Sequence, residues 1–507
     1  MRNLAVSGLL AVLGILTACG GGTTTSTNPP PPPPPPPVSA SVVVGNTTTG
    51  AFDVAMSTSF QPAEWDYQFF QTSTSSKTTL LGNLQPSHVR LQGISQGVPQ
   101  GTAGSASQAW DFTMLDAIAQ PVLSVGDHSP EFQVAKAPPF MYVNNDSNSS
   151  FNDPGFVNFA AYAKNLVEYY NTGGFTDSGS TFHVSAAYPN DKITWWGIYN
   201  EPSINNNLTA TDYVNLYNAV VPAMHSADSS IKFVAVEMCC GSENWITTFA
   251  QNVTPGLPVD AIGTHYYSSC NQSDTDEELF ATVPGFVSSV QTIRANLAVN
   301  PALANVPIWI TENNVNADFD KGGGISNCNG TPLLMDKRGS SAFFAAWRPY
   351  VFSQVGKAGV SALYHWDFDA DAQYGEVDYS TGQTQLSYWV DYWLAQLFPG
   401  GAGQQMLQFT NSDDTEFEVL PVLNTDGSVT ILISNHAVGS ASDNNGNGVA
   451  AKVSLDLSAL GAFSTGNKIM IDASTSPSTG PTAASISPAS SVDVNFNGYG
   501  VAFITLK

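Results

Sequence analysis

Residues 193–202 read Ile-Thr-Trp-Trp-Gly-Ile-Tyr-Asn-Glu-Pro, and residues 307–314 read Pro-Ile-Trp-Ile-Thr-Glu-Asn-Asn. Each is an apolar, β-like run that stops on a glutamate, Glu201 in the first and Glu312 in the second. Six further β-like runs surround them: Phe52–Phe60, Ser87–Gln92, Pro121–Gly126, Ile231–Met238, Ala261–Tyr267 and Val360–Trp366. Most are apolar throughout, as strands covered on both faces must be. Between them lie amphipathic stretches with apolar residues three and four apart, such as Phe156 to Val167 and Tyr213 to Val220. Eight such units predict an α/β fold, a (β/α)8 TIM barrel over residues 40–400. A doubly wound open sheet is the alternative, and no Gly-x-Gly-x-x-Gly follows the first run to support it.

After Gly401 the pattern changes to seven short strands separated by Gly, Asn and Ser turns, with no helix signal. This predicts a β-sandwich domain over 401–507, to which residues 40–50 are expected to lend a strand.

The N-terminus reads as a targeting segment, 1–19. Arg2 precedes an apolar stretch from Leu4 to Leu16, which ends in Leu-Thr-Ala-Cys with the cysteine at Cys19. This resembles the bacterial lipoprotein signal, in which the cysteine is lipidated, so Cys19 is the expected anchor. The chain is expected to be exported, held at the cell surface or outer membrane. Residues 20–39 form a Gly/Thr/Pro-rich linker in which Pro29 to Pro37 are consecutive prolines, a semi-rigid spacer of roughly 28 Å. The remaining cysteines, Cys239, Cys240, Cys270 and Cys328, permit two disulfides in any of three pairings.

Asp and Glu number 41 against 16 Lys and Arg, a net charge of −25, and only 11% of residues are charged. That surface repels phosphate backbones, which argues against a nucleic-acid partner. Polar character comes from Asn, Ser, Thr and Gln, which suits a neutral polar substrate. No cofactor or metal is expected. Any membrane contact is expected through the anchor alone, and the oligomeric state stays open.

Barrel enzymes place their sites where the strands end. Glu201 closes the fourth run and Glu312 the seventh, so both are expected to face one cleft. Two carboxylates flanking a scissile bond are the machinery of glycoside hydrolysis. Asn200-Glu201-Pro202 together with Glu312 resembles the pattern of clan A retaining glycosidases. The likeness extends to His265-Tyr266-Tyr267 at the end of the sixth run, Arg90 in the second, Trp366 at the end of the eighth and His128 after the third. Within the clan the chain looks closest to glycoside hydrolase family 39, the β-xylosidase and α-L-iduronidase family. Asn313 and Asn314 follow Glu312 where that family has a tryptophan, a departure that bears on the substrate.

The resemblance implies that Glu201 is the acid/base and Glu312 the nucleophile. Arg90 and Tyr267 would hold Glu312 charged, Asn200 would donate to the sugar 2-hydroxyl, and Trp366 would floor the sugar. His265 and His128 would also line the substrate site, an oligo- or polysaccharide. Exo and endo cleavage, and a non-catalytic glycan-binding role, remain alternatives. Long loops at 127–153 and 313–337 could shape either a pocket or a groove. Glu237 could line the cleft but lacks a motif, and Asp367, Asp369 and Asp371 offer a weak calcium pattern. Alternation counted back from Asn200 puts Trp196 on the same face and Trp195 under the helices.

Overall fold

The computed structural model describes residues 38–60, 76–92, 110–125, 129–146, 149–204, 208–239, 243–487 and 490–507. The expected targeting segment with Cys19, the proline run and His128 all lie outside the described residues.

The first strand, β1 (Val38–Ala51), is followed by eight strands that close into a parallel barrel. These are β2 (Ala55–Phe60), β3 (His88–Leu91), β4 (Ser129–Val134), β5 (Trp195–Ile198), β6 (Lys232–Cys239), β7 (Ala261–Ser269), β8 (Ile308–Asn316) and β9 (Val360–His365). A helix follows each: α1 (76–84), α2 (Thr113–Ser124), α3 (Val157–Asn171), α4 (Ala210–Ala227), α5 (Glu243–Asn252), α6 (Asp276–Leu297), α7 (Ala342–Lys357) and α8 (Leu386–Leu397). The helices start where the sequence supplies caps. Thr209 and Asp212 form a reciprocal capping box at α4, and Thr275 and Glu278 do the same at α6.

The third strand corrects the sequence reading. Pro121–Gly126 is not a strand: Pro121 to Ser124 are the last turn of α2. The strand is Ser-Pro-Glu-Phe-Gln-Val at 129–134, paired with β3 and β5. It was hidden because Glu131 and Gln133 point into a polar barrel interior, so it lacks the apolar run expected of a covered strand.

Side chains fill the barrel in layers. At the bottom Trp195, Trp309 and Tyr364 pack with Val234, Ala261 and Ala362. Trp196 instead joins the outer core beneath the helices, the reverse of the expected arrangement. The reason lies between the tryptophans and Asn200. Tyr199 has φ 70°, which breaks the two-residue alternation, so counting across it gives the wrong face.

Downstream, β10 (Gln405–Asn411), β11 (Phe417–Leu423), β12 (Val429–Asn435), β13 (Ala451–Asp456), β14 (Gly466–Asp472), β15 (Ala484–Ile486), β16 (Ser491–Phe496) and β17 (Gly500–Leu506) form the all-β domain. Its nine strands make one continuous, mostly antiparallel sheet in the order β15-β14-β17-β12-β11-β10-β1-β13-β16. β1 sits inside it, antiparallel to β10 and parallel to β13. Residues 40–50 thus lend this sheet a strand, as expected, although the domain boundary at residue 40 had grouped them with the barrel. Their alternation of buried Ala40, Val42 and Val44 with exposed neighbours suits a half-covered sheet, not a barrel strand buried on both sides.

Period-two patterning gives the central strands two apolar faces. Ile431, Ile433, Ala502 and Ile504 face the domain's own core. Leu432, Val501 and Phe503 face the other way and join the barrel's core. Arg338 and Asp276 strengthen the junction: Asp276 pairs with Arg338 at 3.1 Å and accepts from the Gly446 amide at 3.0 Å.

Candidate active site

Three barrel strands carry backbone irregularities at their C-terminal ends, and each shifts an acidic side chain into the barrel. On β5 the irregularity is Tyr199, followed by Glu201 at φ 44°. On β6 Val236 and Glu237 both have positive φ, and the register slips between Ala235 and Met238. On β8 the register slips between Ile310 and Glu312. Bulges of this kind re-aim side chains next to active sites. Positive φ at a β-branched residue such as Val236 is strained, and such strain gathers at functional sites.

The residues so aimed converge on Arg90. This guanidinium is fully buried and donates Nε to Glu237 Oε1 at 2.9 Å, Nη1 to Glu312 Oε1 at 3.1 Å and Nη2 to Asn200 Oδ1 at 3.0 Å. Burial works against its charge, but Glu237, Glu312 and Glu131 outweigh it and hold Arg90 protonated. Gln133 Nε2 donates to both Asn200 Oδ1, at 2.9 Å, and Glu237 Oε2, at 2.8 Å. With Oδ1 accepting from two donors, the orientation of the Asn200 amide is fixed.

Glu312 is 4% exposed, and Tyr267 Oη donates to its Oε2 at 2.9 Å. Burial raises its pKa, as does the nearby Glu201, while His265, Arg90 and Tyr267 oppose the rise. His265 is itself pushed down to about 4 by burial, so at neutral pH Arg90 is the cation facing Glu312. Glu201 is more open to the cleft. Burial lifts it to about 7, against the pull of Arg90 and Lys136. Its Oε1 lies 2.9 Å from His265 Nδ1, which is also 3.4 Å from Glu312 Oε2. One oxygen of each glutamate and a His265 nitrogen all lie within 4.8 Å of one another. That spacing could hold a metal, but the Arg90 guanidinium already supplies positive charge to Glu312.

Six expected residues, Arg90, Asn200, Glu201, His265, Tyr267 and Glu312, thus meet in one cluster. Trp366 stands beside it, its ring grouped with Tyr267 and Tyr374. Its backbone amide donates to Asn313 O at 3.1 Å. The acidic residues beyond it go elsewhere: Asp369 pairs with buried Lys77, and Asp371 caps a turn through the Gln373 amide.

Glu237 and Gln133 are the residues sequence reasoning undervalued. A signal for Glu237 exists in two glycines that flank it in space. A Cβ at Gly197 would lie 2.3 Å from Glu237 Oε2, and one at Gly263 would lie 2.5 Å from its Cγ. Glu131 completes the acidic ring, 3.8 Å from Arg90 Nε. Burial and the neighbouring Glu237 push its pKa well up, which favours the neutral acid.

A disulfide between Cys270 and Cys328 ties the loop after β7 to the loop after β8, beside the site. Cys239 is disulfide-bonded as well.

Over 144 residues the chain is 28% identical to a β-xylosidase from Geobacillus stearothermophilus, a match covering 26% of this chain and 28% of that protein. The matched region thus spans little more than a quarter of the relative. The fold is similar to that of a monomeric β-xylosidase from Caulobacter crescentus CB15, with a TM-score of 0.62 and 15% identity over 93% of this chain and 99% of that one. It is also similar to a family 51 α-L-arabinofuranosidase from Bifidobacterium longum, with a TM-score of 0.63 and 11% identity over 92% of this chain and 99% of that one. Residues 173–330 match the family described as glycosyl hydrolase catalytic core. That segment, under a third of the chain, includes both Glu201 and Glu312.

Proposed function

We propose that the protein is a retaining glycoside hydrolase, β-xylosidase-like and of the family 39 type, acting by double displacement on Glu201 and Glu312. The closeness of the pair carries this reading: one oxygen of Glu201 and one of Glu312 lie within 4.8 Å of each other, with His265 Nδ1 reaching both. Retaining enzymes hold their carboxyls about 5–5.5 Å apart, whereas inverting enzymes leave about 6.5–9.5 Å for a water. The curated relative supports the sugar, being a β-xylosidase.

In the first step Glu312 attacks the anomeric carbon. The C1–O bond to the leaving group breaks, and Glu201 gives its proton to the departing oxygen. In the second step Glu201, now a carboxylate, takes a proton from water as that water attacks C1 and releases Glu312. A pKa near 7 suits Glu201 to both roles. Arg90 and Tyr267 hold Glu312 oriented for attack. With its Oδ1 engaged by Arg90 and Gln133, Asn200 turns its NH2 toward the sugar 2-hydroxyl, a bond that strengthens in the transition state. Trp366 offers a ring face to the pyranose. The lipoprotein-like signal ending at Cys19 supports a lipid tether for this activity at the bacterial cell surface or outer membrane, on the periplasmic or the extracellular face.

The test is turnover of aryl β-xylosides and β-linked xylans with product anomers followed by NMR, in wild type and Glu312→Gln. Retained configuration, lost in the variant, supports the reading. Inverted product overturns the mechanism, and unimpaired turnover by the variant overturns the assignment of Glu312.

A further inference from the structure

Two of the irregular strand ends, those of β5 and β6, are neighbours in the barrel, and a phenol stands between them. The β5–β6 register pairs Trp195 with Lys232, Trp196 with Phe233 and Gly197 with Val234, and there it stops. Before it, the Thr194 carbonyl accepts from the Lys232 amide at 2.9 Å. Carried four residues along both strands, that bond would join the Ile198 carbonyl to the Val236 amide. Tyr213 occupies its place. The Tyr213 hydroxyl donates to the Ile198 carbonyl at 3.1 Å and accepts from the Val236 amide at 2.5 Å. Direct bonding between the strand ends resumes where the Glu201 amide donates to the Glu237 carbonyl at 2.9 Å.

A hydroxyl both donates and accepts, so one phenol satisfies two backbone groups that regular strands would pair directly. The backbone on either side is strained. Tyr199 and Glu201 have φ of 70° and 44°, and Val236 and Glu237 have φ of 77° and 38°. Such torsions persist only where the surroundings over-determine them. The side chains carried by these two bulges include Asn200 and Glu237, which both bond Arg90, and Glu201, which meets His265.

Tyr213 is delivered to this point by the start of α4. The Thr209–Asp212 capping box fixes the first turn, and the Tyr213 amide donates to the Thr209 carbonyl at 3.0 Å. The ring is 1% exposed and packs beside Tyr217 and Phe249, with centroids 6.2 and 5.9 Å away. A phenylalanine would fill the same space, so packing alone does not call for the hydroxyl. Burial raises the phenol's pKa, which keeps the proton on Oη as a donor.

We propose that Tyr213 is a positioning residue for the reaction: its hydroxyl, inserted between β5 and β6, holds the two bulges that aim Asn200, Glu201 and Glu237. Without it, the Ile198 carbonyl and the Val236 amide are left unpaired or close directly on each other, and the bulges lose their shape. The inference rests on the glycosidase reading for the chemistry it serves.

The experiment compares Tyr213→Phe with Tyr217→Phe in the full chain. Tyr217 lies one turn further along α4 and is also buried, but its hydroxyl donates to the Pro258 carbonyl at 2.8 Å. Two aryl β-xylosides are used. A phenyl leaving group needs the proton of Glu201, whereas a dinitrophenyl group departs without one. In Tyr213→Phe, kcat/KM on the phenyl substrate should fall by about tenfold or more beyond any fall on the dinitrophenyl substrate. In Tyr217→Phe both substrates should keep the same ratio, whatever happens to Tm. Equal losses on both substrates in Tyr213→Phe, or the same split in Tyr217→Phe, overturn the proposal. If Tyr213→Phe does not fold, the exposed cap variant Thr209→Ala loosens the turn that carries Tyr213. It should show the same split at about two- to fivefold, and no split overturns the proposal.

A crystal structure of Tyr213→Phe gives a readout independent of turnover. Tyr199 and Val236 are expected to leave positive φ. Retention of all four strained torsions overturns the proposal, even with a water in place of the hydroxyl. If the wild type turns over no glycoside, the glycosidase reading fails, and these torsions still decide whether Tyr213 holds the bulges.

Discussion

His265 Nδ1 stands 2.9 Å from Glu201 Oε1 and is the bridge between the two glutamates of the site. Burial keeps the ring neutral down to about pH 4, while Glu201 stays protonated up to about 7. A general acid works only while it holds its proton, so kcat/KM should fall as pH rises through about 7. Glu201→Gln should remove that basic limb and lower kcat on substrates with poor leaving groups by roughly 10²–10⁴-fold. A limb that persists unchanged in the variant would assign it to another group.

Tyr267 acts on the other glutamate. Its hydroxyl donates to Glu312 Oε2, which favours the ionised form. Tyr267→Phe removes the donor, so the pKa of Glu312 should rise. The acidic limb of the pH profile should move upward, with kcat down by about 10–100-fold, corresponding to roughly one hydrogen bond to a charged group. An acidic limb that stays in place would show that the hydroxyl does not control Glu312.

Glu237 is fully buried and shares Arg90 with Glu312. Glu237→Gln leaves the guanidinium with less compensating charge in the barrel interior. Removing one partner of a buried ion pair is strongly destabilising, so urea unfolding should show a loss on the order of 3 kcal/mol. Its backbone carbonyl also accepts from the Glu201 amide at 2.9 Å. Kinetic damage should therefore appear in kcat more than in KM. Unchanged stability would mean that Arg90 is compensated without it.

The Cys270–Cys328 bond closes a loop with a sequence separation of 58 residues. By the chain-entropy estimate, a loop of that size is worth about 4 kcal/mol. Cys328→Ser should lower Tm and raise the KM for polymer more than for aryl glycosides, because the freed loop borders the site. Thermal melts with and without reductant, on wild type and variant, check this. A variant that melts with wild type would contradict it.

Most of this architecture was legible because its signals are local. Apolar runs ending in Asn200-Glu201 and Thr311-Glu312 marked two strands and both carboxylates. The downstream strands at 417–423, 429–435 and 500–506 match the expected strands within a residue or two at each end. What escaped was whatever depends on the third dimension. Strand 129–134 carries Glu131 and Gln133 because its inner face meets Arg90, a partner forty residues away in sequence. The facing of Trp195 and Trp196 turned on one torsion at Tyr199. Glu237 had no motif, since its role is written in the empty space above Gly197 and Gly263.

The placement of β1 has a consequence for the order in which the chain acquires its structure. β1 is made first, yet its ladder partners at 405–411 and 451–456 are made after the whole barrel. The barrel is thus nested within the β domain, and its eight units can assemble while β1 waits with both edges open. Contacts spanning so much sequence form slowly. A polypeptide stopped at residue 400 would present β1 as a bare strand, a template for pairing with other chains. The last hundred residues therefore do more than add a domain: their arrival covers both edges of β1.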